Sequence, residues 1–257
     1  MIKSCSLRYD RTLTPEECAK NLAEAGFTHV FPIWGLEDEG LRDVIAARAH
    51  GLTVETLHAA YGGVNEIWVD DARGEARMDF FLDCIRAASD LQVPTVITHL
   101  SSGLTPPPIS EVGLARYQRI CDEAERLGVA VAFENLRYIS YLRAIFENVH
   151  SPARKFCYDC GHENLYDGGD GVLEAFGKDL VAIHLHDNLG KRDDHLPPFS
   201  GTVDWQRLCK RLKSNGIDCP ITLELKANGA EADFAKHLFA CACKIENMIR
   251  EDTENCG

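Results

Sequence analysis

The chain has 257 residues, 45 % of them hydrophobic and 26 % charged, with 40 acidic against 27 basic side chains and a net charge of −13. That composition excludes a disordered or low-complexity chain, and such a surface repels a polyanion such as DNA unless a local basic patch overrides it. No apolar run approaches the ~20 residues a bilayer needs, and the opening MIKSCSLRYD has no signal-peptide pattern, which predicts no membrane span and a cytoplasmic location. The eleven cysteines are scattered rather than framed and read as reduced thiols.

Eight β-rich runs alternate with amphipathic stretches. Strands are predicted over 2–7, 29–34, 53–59, 93–99, 129–134, 155–159, 180–186 and 221–225. Most are continuous apolar runs, as expected of parallel strands covered on both faces. Between the first two, Thr14-Pro15-Glu16-Glu17 reads as an N-cap with proline and acids in the first turn. Gly26, Gly51, Gly128 and Gly216 each read as a C-cap feeding the next strand. Eight βα units of roughly 30 residues each are the arithmetic of a (β/α)8 barrel. A doubly wound sheet would carry a glycine-rich first turn, and here the first strand runs into Arg8-Tyr9-Asp10. The expectation is an α/β fold with one barrel domain over 1–250 and a frayed tail over 251–257.

Active sites of such barrels lie at the C-terminal ends of the strands. His58 ends the third predicted strand, His99 the fourth, Glu134 the fifth and Asp159 the sixth, with His162 three residues on. His184 and His186 end the seventh strand, Glu224 ends the eighth, and Asp193 and His195 lie in the long polar loop 187–204. Six of the ten histidines therefore fall on one rim. Three acids aimed at one axis raise each other's pKa unless a cation neutralises them, so the pattern points to a divalent metal. His184 and His186 share a strand face, and either can point inward.

Other signals are weaker. Cys157 and Cys160 form a CxxC without the second pair a zinc knuckle needs, and read as small buried hydrophobes. Lys226, two residues after Glu224, reads equally as a ligand for a sugar hydroxyl or phosphate and as a rim salt bridge. Trp34 and Trp68 suit packing or stacking on a sugar face.

The run His58, His99, Glu134-Asn135-Leu136, Asp159-x-x-His162, His184-Leu185-His186-Asp187, Asp193-x-His195 and Glu224 resembles the xylose isomerase-like barrel superfamily. That group includes sugar isomerases and epimerases such as tagatose 3-epimerase, and also endonuclease IV. The epimerase resemblance implies Glu134, Asp159, His184 and Glu224 as metal ligands, with Glu134 and Glu224 as the catalytic pair. His184 fits better than His186, because Asp187 stands three residues after it as the corresponding acid does in both relatives. One departure is Gly190, where the epimerases have an arginine. The endonuclease IV resemblance implies matches for all nine ligands of three zinc ions, adding His58, His99, His162, Asp193 and His195 as substrate-binding residues or further metal ligands.

The favoured expectation is a divalent-metal-dependent (Mn, Mg, Co or Zn) isomerase or epimerase. It would act on a small sugar or sugar phosphate, through an enediolate formed beside a carbonyl. The alternative is an endonuclease IV-like multi-zinc phosphodiesterase acting on abasic DNA. The net charge and the acidic loop Gly35-Leu36-Glu37-Asp38-Glu39-Gly40 oppose it. A barrel that binds metal or sugar without turnover would not need two carboxylates across the metal. An oligomer is compatible with all of these.

Overall fold

The computed structural model describes residues 1–35, 38–166, 171–231 and 233–251. Ten strand segments run through it: β1 (Lys3–Ser6), β2 (His29–Phe31), β3 (Ile33–Trp34), β4 (Thr53–Val54), β5 (Thr56–Ala59), β6 (Thr95–Thr98), β7 (Ala130–Glu134), β8 (Arg154–Asp159), β9 (Leu180–His184) and β10 (Ile221–Leu223). They pair in parallel in the orders β10-β1-β2-β4 and β3-β5-β6-β7-β8-β9.

The two predicted strands 29–34 and 53–59 each appear as two segments, and the cause is local. Pro32 has no N–H to give the ladder, so β2 hands over to β3 there. The strand still runs on, since Glu55 N donates to Val30 O at 3.1 Å and His58 N donates to Pro32 O at 3.0 Å. The other seam closes beyond β9, where Leu185 N donates to Thr222 O at 2.9 Å and Glu224 N donates to Leu185 O at 3.1 Å. Eight strands thus curl into a (β/α)8 barrel, as the spacing predicts.

Helices cover the outside. Pro15–Ala25 starts on a complete capping box, with Thr14 Oγ1 accepting from Glu17 N at 3.2 Å and Thr14 N donating to Glu17 Oε2 at 2.8 Å. It ends on Gly26, whose φ of 109° is left-handed and favours glycine. The remaining long helices are Glu39–Ala49, Ala72–Asp90, Glu111–Leu127, Ile139–Asn148, Trp205–Ser214 and Phe234–Arg250. No helix among the described residues is long and apolar enough to cross a membrane.

The main core lies between sheet and helices, with Leu22, Phe81, Tyr117, Phe133, Phe156 and Leu238 among its buried members. A second cluster, Ile97, Ala132, Cys157 and Ala182, is made of alternate residues on β6 to β9. Strand alternation puts these on the same face as His99, Glu134, Asp159 and His184, two positions on, so mostly small side chains floor a layer of ionisable ones. The residues expected to fray lie outside the described residues from 252 onward.

Candidate active site at the barrel mouth

The ionisable layer is positioned by strand ends and braced by polar crosslinks. Asn135, one residue past β7, donates from Nδ2 to Asp159 O and accepts at Oδ1 from Asp159 N, both at 2.8 Å. That amide pair locks Glu134 beside Asp159. Asp159 also accepts from His162 N at 2.6 Å, capping the short helix Cys160–Leu165 and swinging His162 over the mouth. Gly161 within that helix lies against the His186 ring, and a Cβ there would collide with it.

The long loop 187–204 folds back because Asp187 anchors it. Asp187 and Leu196 exchange two backbone hydrogen bonds of 2.8 Å. The buried Asp187 carboxylate accepts from Asn188 N (2.9 Å), Val203 N (3.0 Å) and Trp205 Nε1 (2.8 Å). This brings Asp193 and His195 to the mouth, where Asp193 Oδ2 lies 3.7 Å from His162 Nε2.

Every residue singled out at the rim is brought to this one end. Ligand atoms of Glu134, Asp159, His184 and Glu224 all lie within 4.8 Å of one another. His184 Nδ1 stands between two carboxylates, 3.3 Å from Glu134 Oε1 and 3.1 Å from Glu224 Oε2. Glu134 Oε2 is 3.2 Å from His58 Nε2 and 3.1 Å from His99 Nε2, and these three form a second compact group. A third joins His186, Asp193 and His195. His186 Nε2 bonds Asp159 Oδ2 at 3.2 Å, so His184 faces the four-residue group and His186 flanks it.

Electrostatics follow from burial. Burial disfavours the Glu134 carboxylate, yet His99 and His184 overcome it and hold its pKa well below the usual carboxylate range. Glu224 is likewise held down, by His184 and His195 against burial. Burial opposes protonation of His162, but Asp159, Asp193 and Glu134 raise its pKa well above the imidazole value. The acids are faced by His162, His184 and His186, whose pKa values are raised despite burial, and a divalent cation can replace the protons these imidazoles carry. The donors fit such an ion: three carboxylates and one imidazole suit Mn, Mg, Co or Zn.

A cavity of about 300 Å³ opens over this layer, lined by His58, His99, His162, Asp193, His195 and Glu224. Its wall also holds Arg11, Tyr61, Ser101, Arg137, Tyr166 and Lys226, of which sequence reading singled out only Lys226. These come from loops with no periodic signal. Tyr61 stacks on His99 with ring centroids 5.0 Å apart, and Arg137 lies 4.4 Å over the Tyr166 ring. Cys157 was also missed as a neighbour of the site: its ligand atom groups with those of Glu134 and His184. Burial pushes its thiol up to about 12. Trp68 packs, donating from Nε1 to Leu100 O at 2.7 Å. The ten cysteines among the described residues are free. Leu36 and Glu37 of the acidic loop lie outside the described residues.

Residues 19–242 match the model of the family described as xylose isomerase-like TIM barrel. The chain belongs to that family. An uncharacterized protein of Sinorhizobium fredii is 26 % identical over 276 residues, spanning 89 % of this chain and 87 % of the relative. Among solved members of similar fold is a D-psicose 3-epimerase from Clostridium cellulolyticum H10, determined with D-tagatose. It has a TM-score of 0.77 at 14 % identity, covering 98 % of this chain and all of that one. A D-tagatose 3-epimerase-like protein has a TM-score of 0.76 at 19 % identity, covering 96 % and 98 %. These likenesses show the fold.

Proposed function

We propose that this protein is a divalent-metal-dependent isomerase or epimerase of a small sugar or sugar phosphate. The observation that carries the reading is the pair Glu134 and Glu224, two buried carboxylates on either side of His184 Nδ1 at 3.3 and 3.1 Å beneath an open cavity. Glu134, Asp159, His184 and Glu224 would hold the metal. When bound, the ion polarises the substrate's carbonyl and so acidifies the adjacent C–H.

The chain's own residues then do the proton work. Glu224 lines the cavity and Glu134 lies buried beneath it, on strands from different sides of the barrel. One takes a proton from carbon, giving an enediolate, and the other returns one to the opposite face, which suits epimerisation. His58, His99 and His162 contact Glu134 and fix where its carboxylate points. The same histidines, with Asp193 and His195, line the wall a sugar's hydroxyls would meet. Free buried thiols agree with a reducing, cytoplasmic setting.

The two further His/acid groups also suit a multi-zinc phosphodiesterase. The resemblance to solved sugar epimerases and the charge of −13 favour the sugar reading. The test is solvent deuterium exchange into candidate ketoses, with and without added Mn or Zn. Metal-dependent exchange is expected. No exchange with any sugar, together with cleavage of an abasic-site oligonucleotide, would overturn it.

A further inference from the structure

A lysine stands in the third ligand group. Lys226 Nζ donates to His195 Nε2 and lies 3.7 Å from Asp193 Oδ2. The tautomer explains the contact. His195 Nδ1 donates to Glu224 O at 3.1 Å, which leaves Nε2 with a lone pair. In the neutral ring that lone pair stands 2.8 Å from Asp193 Oδ2, where a proton on Nε2 would otherwise join the two and the Lys226 ammonium takes that place. The remaining member, His186, is engaged elsewhere: its Nε2 bonds Asp159 Oδ2 at 3.2 Å and its ring stacks on His195 with centroids 4.0 Å apart.

We infer that the Lys226 ammonium is the resident cation of the His186–Asp193–His195 group, so that this group takes no metal ion in the native chain. The inference deepens the proposed function, since it assumes an ion at Glu134, Asp159, His184 and Glu224. An ammonium and a divalent ion cannot share two donors a few ångströms apart without strong repulsion, and the tethered cation is always present. Lys226 also lines the cavity. An ammonium has three N–H groups, and one that is not turned to His195 can meet an oxygen of the substrate.

Metal content decides it. Apo-protein is loaded with excess Zn²⁺ or Mn²⁺, desalted, and assayed for ions per chain by elemental analysis. Asp193→Ala should leave the count of the native chain unchanged. Lys226→Met, which keeps the stem and removes the charge, should gain one ion per chain, and Lys226→Arg should gain none. Adding Asp193→Ala to Lys226→Met should abolish the gain. Loss of an ion in Asp193→Ala alone, or no gain in Lys226→Met, overturns the inference, and the Asp193→Ala arm stands even if the lysine variant misfolds. Failure of the underlying reading has a different signature: Glu134→Gln and Asp159→Asn would leave the native count unchanged.

Discussion

Two sets of buried carboxylates sit at the same mouth, and their partners differ in kind. Asp10 lies in the loop after β1 and accepts from Thr12 N (2.9 Å), Thr12 Oγ1 (2.8 Å), Gly229 N (3.0 Å) and Ala230 N (2.6 Å). Asp187 is likewise saturated by two backbone amides and an indole. The ion-pair partners of Glu134 among the described residues are imidazoles, from His58, His99, His162 and His184. Amides and hydroxyls are fixed dipoles, so Asp10 and Asp187 serve as clamps that hold loops to the barrel. Imidazoles can release protons and offer lone pairs, so the Glu134 set can exchange its positive charge for a metal's. Burial alone does not mark a functional acid; the chemistry of its donors does.

The largest expected effect breaks the functional side of this contrast. Glu134→Gln or Glu224→Gln keeps an oxygen ligand but removes the base, so deuterium exchange into substrate should fall ~10² or more, or about 2.7 kcal/mol of barrier. Exchange at the native rate in both variants would show that the proton travels by other residues.

Chelation separates the two sets in stability rather than rate. With metal at 100 times its Kd, the native fold should gain about 2.7 kcal/mol, read as a raised Tm that EDTA removes. The same titration on Asp10→Asn should give the same increment, and on Glu134→Gln a smaller one. An equal increment in both would place the ion elsewhere.

Asp10 gives the next effect, and its sign follows from its surroundings. Burial works against its charge, but the amides of Thr12, Ala230 and Gly229 outweigh that and bring its pKa down to about 2. A pKa depressed in the folded state stabilises above the unfolded value of 3.8 and loses that contribution as pH falls toward 2. Asp10→Asn should therefore cost roughly 2 kcal/mol in urea at pH 6. The gap to the native chain should shrink between pH 4 and pH 2; a constant gap would mean that the clamp does not depend on charge.

The smallest change lies far from the mouth. Thr14→Ala removes one half of a solvent-facing capping box and should cost about 1 kcal/mol without altering metal uptake. A drop in bound metal would show that the first helix is coupled to the site.

Much of this was legible in the sequence because it rests on local rules. Continuous apolar runs at even spacing require parallel strands buried on both faces, and eight of them close a barrel. Their places at the C-terminal ends of parallel strands then put His99, Glu134, Asp159, His184 and Glu224 at one end of the barrel. Local rules also cover the Thr14–Glu17 cap and its closing Gly26. The strand over 29–34 was read straight through Pro32, whose missing N–H divides it into β2 and β3.

Only the tertiary structure could decide which atoms meet. His184 and His186 share a face and residue type; the position of Asp187 favoured His184 in the sequence, while the structure alone gives the carboxylates each reaches, Glu134 and Glu224 for His184 and Asp159 for His186. The clamp roles of Asp10 and Asp187 depend on amides more than ten residues away, such as Gly229 and Val203. Arg137, Tyr61 and Cys157 join the site through loop closure and cross-strand register, which no periodicity encodes. Lys226 was a rim lysine with two equal readings until its ammonium was found against His195. Sequence patterns set the direction each side chain takes from its own strand, while distances between strands follow from barrel curvature and packing, which belong to the whole chain at once.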